Sequence, residues 1–309
     1  MHGMDQTVKT AGSALRARSP MGILASNSML FLPSILYLVA FAIYPLFYSA
    51  RLSMTRLESA AGAPIWVGFR NYQDLMVDPQ FWNAAMNSLL FVSATVFLQV
   101  LLGVGLALFF NLQLRGSWLV RSILILPMLI TPIVVGVMWR ALLNPDWGLV
   151  NWMIESIGFT PPNWLGSVRM GIVTLIMVEV WQWTPFVFVV VFARLQALPT
   201  DFYDAAEIDG ASRLNIFRFL TLPLLMPAIA FATVFRAVDS FRSFDLVYGL
   251  TYGGPARATT TLSFFAFQHG FQFQNYGYAA AASYVMLLIL VVGTTLMFRY
   301  ANLRPEHLR

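Results

Sequence analysis

Of 309 residues, 58% are hydrophobic and 11% charged, with 26 Phe, 9 Trp and a mean hydropathy of +0.68. Globular proteins average about 25% charged residues, so this composition excludes an ordinary soluble domain and places most of the surface against lipid. With no Cys there is no disulfide framework, thiolate metal site or redox pair, and His2, His269 and His307 lie too far apart for metal-ligand spacing. The net charge of +5 comes from 18 Arg and the single Lys9, with no block of like charges that would mark a nucleic-acid stripe. Neither a cofactor nor a nucleic-acid partner is expected.

Crossing a hydrocarbon core of about 30 Å takes roughly 20 apolar helical residues, so uncharged runs locate the spans. After a tail at 1–27, the first helix is predicted at Ser28–Ala50. That stretch is too long for a signal-peptide core and ends in aromatic residues and Arg51, so it is read as a retained helix. The second follows at Met86–Phe110, where Gly103 and Gly105 would permit close helix packing. The third is shorter, at Trp118–Ala141. The fourth, Met170–Ala193, contains the acid Glu179, and the fifth, Phe217–Val238, is charge-free only between Arg218 and Arg236. The sixth is Tyr278–Phe298, leaving a second tail at 299–309. Continuous runs favour helices over barrel strands, which would alternate over about ten residues. The expected class is an all-α membrane protein with six transmembrane helices filling 28–298.

An even number of spans puts both termini on one side, and Lys and Arg choose that side. With the termini inside, inner segments hold Lys9, Arg16, Arg18, Arg115, Arg121, Arg194, Arg213, Arg218, Arg299, Arg304 and Arg309, while the outer segments hold eight Arg. The bias favours cytoplasmic termini and long outer loops at 51–85, 142–169 and 239–277. Trp66, Phe69, Tyr72, Phe81, Trp82, Trp147, Trp152 and Trp164 in those loops suit a membrane interface. Pro79, Pro145, Pro161-Pro162 and Pro199 mark helix ends.

The most polar stretch runs from Pro199 to Arg213, on the cytoplasmic side by that orientation. Thr200 or Asp201 can cap a short helix, Asp201 and Asp204 sit where the helix dipole favours acids, and Gly210 supplies the left-handed residue that ends it. Ser212 can cap the next helix. Small Ala205 and Ala206 would let a partner approach closely. An ordinary polar loop is the competing reading of the spacing alone.

Asp204-Ala205-Ala206, three residues, Gly210, nine residues and Leu220-Thr221-Leu222-Pro223 resemble the EAA loop of binding-protein-dependent ABC transporter permeases, with Asp for Glu and Leu for Ile. Leu32-Pro33, Tyr44-Pro45, Val67-Gly68-Phe69-Arg70-Asn71-Tyr72, Trp183-Thr184-Pro185-Phe186 and Leu250-Thr251-Tyr252-Gly253-Gly254-Pro255 resemble the carbohydrate-uptake branch of that family. The resemblance implies that the loop at 199–216 carries a coupling helix, with Asp204, Ala205, Ala206 and Gly210 meeting a groove on a separate ATPase. It further implies a second permease subunit, two cytoplasmic ATPase subunits, an extracytoplasmic sugar-binding protein and a place in the bacterial inner membrane. The absence of a glycine-rich C-terminal end makes the chain similar to the first permease of such pairs.

The nucleotide motor is not in this sequence: Lys9 is the only lysine and lacks the glycine spacing of a phosphate-binding loop. G-x-S-x-G and H-E-x-x-H are also absent, so no enzyme activity is expected of the chain itself. Glu179, an ionisable residue inside a span, is a candidate for substrate or ion contact, against helix packing and ion pairing. Asp239 and Arg242, three apart, would be neighbours on a helical turn and form an ion pair, or contact substrate; Asp245 follows at the same spacing. Trp181, Gln182, Trp183, Tyr248, Asn275 and Tyr276 have the chemistry of a sugar site, although a Trp or Tyr near a helix end also serves as an interface anchor. An ion-driven secondary transporter is the alternative function, since such proteins place ionisable residues or broken helices at mid-membrane. A membrane enzyme is a third.

Overall fold

The computed structural model describes residues 31–56, 64–112 and 117–300. The expected tail at 1–27, and with it Lys9, Arg16 and Arg18, lies outside the described residues, as do Arg115, Arg304 and Arg309. The chain divides into two compact units, Met1–Leu52 and Ser53–Arg309. Helix α1, Phe31–Ser53, fills the described part of the first; it widens into a π turn at Val39–Ile43.

The second unit opens on a two-stranded antiparallel ribbon in which β1, Thr55–Arg56, pairs with β2, Ile65–Trp66. Asn71, in α2 (Arg70–Val77), ties off its base by donating from Nδ2 to the carbonyls of Ser53 and Thr55 at 2.8 and 2.9 Å. Helix α3 is Pro79–Phe110. It begins ahead of the expected Met86 because Asp78 is an N-cap, its carboxylate accepting from the Gln80 N–H at 2.8 Å with Pro79 in the first turn. At 1.5 Å per residue it is about 48 Å long, more than a bilayer core needs. Helix α7, Val168–Gln196, starts the same way on Ser167.

The expected third span is not one helix. α4, Ser117–Ile125, tightens into a 3₁₀ turn at Leu126–Leu129, and α5, Pro132–Leu142, departs from it at 101°. Pro127 and Pro132 each remove a backbone donor, and Ile130 and Thr131, ahead of Pro132, lie in the extended region. A broken helix at membrane depth survives only where a neighbour satisfies the freed backbone; here Gln182 of α7 donates from Nε2 to the Ile130 carbonyl at 2.9 Å.

Short helices α6 (Leu149–Ser156), α8 (Asp201–Ile208), α10 (Asp245–Leu250) and α11 (Leu262–Phe267) lie between the longer ones. α9, Arg213–Phe241, contains a π turn at Ile216–Thr221, and α12 is Tyr276–Tyr300. Five described helices are long and apolar enough to cross a membrane, or six with the bent pair counted as one span. The architecture is thus all-α and membrane-spanning, as expected.

Helices α3 and α7 form the axis of the core. Gly103 makes that contact: a Cβ there would meet the Val187 side chain at 2.7 Å, so only glycine allows the approach. Gly105, expected to do the same, has nothing within 4 Å of its Cβ position and plays no part in packing among the described residues. Phe188, Val191, Leu225 and Ala232 bury against this seam, and Phe91, Leu175, Val178, Leu246 and Phe264 form a second cluster above it.

Candidate functional site: a buried charge node and a bare helix

One charged group lies entirely inside the bundle. Arg236 of α9 is 0% exposed, and Glu179 of α7 is 2% exposed. The Arg236 guanidinium meets Glu179 Oε1 at 2.6 Å and Asp239 Oδ2 at 2.5 Å. Its Nε donates to Gln99 Oε1 of α3 at 3.0 Å, and Nη2 also donates to Ser240 Oγ at 2.9 Å. Ser240 in turn donates to Glu179 Oε1 at 3.2 Å, and Gln99 Nε2 donates to the Glu179 carbonyl at 3.1 Å. Trp183, one turn past Glu179, covers a face of the guanidinium at 4.5 Å. A charge taken out of water costs several kcal/mol unless it is paired and hydrogen-bonded; these groups meet that condition and join α3, α7 and α9 at one level.

Over the node lies a cavity of ≈ 190 Å³, lined by Glu179, Trp183, Asp239, Arg242, Ser243 and Asp245, with Pro132 at the start of α5 and Phe244 completing it. Glu179, Trp183, Asp239 and Arg242 of the expected substrate path are therefore brought together. Trp181 is not among them: it points to the other side of α7, edge-on to Trp139 with ring centroids 5.4 Å apart, along an apolar groove. Tyr248 is taken up by an aromatic cluster with Phe244, Tyr252, Phe264 and Phe267. Gln182 is buried as the clamp on the helix break, and Asn275 caps α12 through the Tyr278 N–H.

The expected Asp239–Arg242 ion pair does not form; Asp239 takes Arg236, three residues before it, instead. Both arginines lie within reach on a helix, and the choice falls to the one that is buried, where a carboxylate is worth most. Sequence reasoning used Arg236 only as the boundary of a span. The signal was there: a lone acid in span four and, in span five, an arginine far from the cytoplasmic end that Arg218 occupies, each too costly for lipid by itself.

The second site is built from absence of burial. α8 carries no buried residue; Phe202 and Ile208 are 53% and 85% exposed. Asp201 and Asp204 stand in its first turn. Thr200 occupies the N-cap position without a side-chain bond to the helix. Its C-terminus closes by a paired motif in which the Ala211 N–H donates to the Ala206 carbonyl and the Gly210 N–H to the Glu207 carbonyl, both at 3.0 Å. Gly210 has φ +74°, as that motif demands. Ser212 then caps α9 by accepting from the Asn215 N–H at 3.3 Å. Ala205 and Gly210 are open, whereas Ala206 is half-buried.

These features define a multi-pass helical membrane protein with a buried, internally paired arginine beside a polar cavity. Residues 99–304 match the model of the binding-protein-dependent transport system inner membrane component, and the chain belongs to that family. It is 36% identical over 300 residues, 96% of each chain, to the probable ABC transporter permease protein y4oQ of Sinorhizobium fredii. It is 34% identical over 270 residues, 87% of this chain and 91% of the relative, to the trehalose/maltose transport system permease protein MalF of Thermococcus litoralis. Among solved structures, a chain of a bacterial ABC transporter involved in the import of alginate has the same fold. Its TM-score is 0.79 at 23% identity, covering 90% of this chain and 95% of that one. The chain is accordingly a membrane-embedded permease subunit rather than a secondary transporter or an enzyme.

Proposed function

We infer that this chain forms one half of the translocation path of an ATP-driven importer for a sugar or polyol. A second permease subunit supplies the other half, two cytoplasmic ATPase subunits dock on the permeases, and an external binding protein delivers the substrate. The carbohydrate class draws support from the trehalose/maltose relative. The observation that carries the coupling role is α8, an eight-residue helix with no buried residue, closed by Gly210 and joined to α9 through the four residues 209–212. Asp204, Ala205, Ala206 and Gly210 are its docking positions.

Mechanically, α9 is a lever. It starts just beyond Gly210 and carries Arg236 and Asp239 near its other end, about 35 Å away at 1.5 Å per residue. A displacement of α8 by closing ATPases therefore reaches the polar node on the same helix. Because Arg236 ties α9 to α3 and α7, the three spans move as a unit or the node must open. Two discrete arrangements of this kind are what alternating access requires. Glu179, Trp183, Asp239 and Arg242 line the substrate's route on this subunit.

Reporter fusions at Lys9, Gly116, Ser212 and Arg309 should read as cytoplasmic, and those at Gly62, Gly166 and Ala256 as external; an inverted Ser212 fusion removes the coupling role. In proteoliposomes, the chain with its second permease, ATPase and loaded binding protein should take up labelled trehalose or maltose only with ATP inside. Ion-gradient-driven uptake by this chain alone would contradict the proposal.

A further inference from the structure

The cavity above Arg236 holds its charges in an order that selects its ligand. A guanidinium has five N–H donors, and four of those of Arg236 are spent on Gln99, Asp239, Glu179 and Ser240. Trp183 covers a face of the group, and no part of the residue is exposed. Arg236 therefore has nothing to offer a ligand phosphate, sulfonate or carboxylate. It is the protein's own counter-ion.

What the cavity wall does offer is mainly acceptors. Glu179, Asp239 and Asp245 line it, against Arg242 as the one lining cation. Three carboxylates against Arg242 and the buried Arg236 together still leave the site net negative. Three helix ends meet the wall: α5 and α10 start there, at Pro132 and Asp245, and α9 closes there at Arg242. At about half an elementary unit each, positive at the two N-termini and negative at the C-terminus, they lessen the net negative charge by about half a unit and do not reverse it. Asp239, its side chain 42% exposed, bonds Arg236 through Oδ2 and leaves Oδ1 out of that bond. An oxygen so placed accepts from a hydroxyl, and the Trp183 ring gives the flat apolar wall on which a sugar face rests.

We propose that this cavity is an anion-excluding subsite for an uncharged, hydroxyl-rich ring, with Asp239 and Asp245 as the residues that determine the exclusion. The inference rests on the reading of the cavity as part of the substrate path. It assigns neutral sugars or polyols to the transporter and rejects phosphorylated, sulfonated and uronic sugars. At ≈ 190 Å³ the space is below the ~300–1,000 Å³ of pockets that enclose a drug-sized ligand, so it holds one ring of a longer substrate.

The chain contains no Cys, so Ser243→Cys places a single thiol on the cavity wall. The assembled transporter, with cysteine-free partners in lipid nanodiscs, is treated with methanethiosulfonates carrying either a trimethylammonium or a sulfonate group. Reaction is read from the mass of this chain. The ratio of cationic to anionic reaction rates, divided by the same ratio for free 2-mercaptoethanol, should be about fivefold or more, since a net negative wall attracts one reagent and repels the other. Adding Asp239→Asn or Asp245→Asn should lower that ratio several-fold. An anionic reagent that reacts as fast as the cationic one overturns the inference, and so does a thiol that neither reagent reaches. Uptake of labelled trehalose or maltose by the fully modified protein separates the two layers. Undiminished uptake removes the substrate-path reading, whereas blocked uptake with no charge preference removes the anion exclusion alone.

Discussion

The Arg236 node and helix α8 stand at opposite extremes of self-sufficiency. At the node every principal polar group has a partner within the chain: Gln99, Glu179, Asp239 and Ser240 surround a guanidinium with no exposed surface. At α8 the apolar side chains of Phe202 and Ile208 stand exposed. A site satisfied from within should fail when the chain is altered, assembled or not. A site held to its own chain by little more than the Tyr203 hydroxyl, which donates to Thr221 Oγ1 at 3.3 Å, should fail only when an external partner is required. That difference can be measured.

The largest effect is expected at the node. Arg236→Met strands Glu179 in the interior without its counter-charge, and breaking a buried pair from one side costs about 3–5 kcal/mol. Thermal denaturation of the isolated chain in nanodiscs should register it as a clear fall in midpoint. Adding Glu179→Leu to Arg236→Met should recover most of that loss, because removing both charges also removes the desolvation penalty. Failure of the double variant to recover would show that Gln99, Asp239 and Ser240 depend on the arginine independently of Glu179.

Gly210→Val comes next and reverses the pattern. A β-branched residue at φ +74° is a misfit worth about 1–2 kcal/mol locally, and it changes the angle at which α8 leaves α9. The isolated chain should denature as wild type does, while co-purification of the ATPase drops by about tenfold, the equivalent of 1.4 kcal/mol. Phe202→Ser should be the mildest for the chain alone, within about 0.5 kcal/mol of wild type, yet should reduce ATPase stimulation by loaded binding protein.

The two regions also differed in how readable they were from sequence. α8 was legible almost residue by residue, because its determinants are local: two acids in the first turn, a glycine at the close, Ser212 before the next helix. The expected Thr200 cap occupies its position but lacks the side-chain bond. The node was only partly legible. Glu179 and Asp239 stood out as ionisable residues in or beside spans, but Arg236, their common partner, lies 57 positions from one and three from the other. Pairing across helices depends on their rotation about their axes, which an uncharged run does not encode. The break in the third span was missed for a related reason. Hydropathy is blind to direction, and only Pro127 and Pro132 hinted that an apolar run of the right length would turn through 101°. Gly103 and Gly105 make the same point at smaller scale, since their two-residue offset puts one against Val187 and the other away from it.

The central claim, that α8 couples this subunit to an ATPase, is tested most directly by Ala205→Cys, which puts the chain's sole thiol on the exposed helix. Labelled with a benzophenone maleimide and irradiated in the assembled transporter, this position should cross-link to the ATPase subunit, with a yield that changes when ATP is added. A control thiol at Trp147→Cys, on the expected outer side, should give no ATPase adduct. An Ala205→Cys variant that transports normally and yields no ATPase adduct, or only as much as the control, would contradict the account.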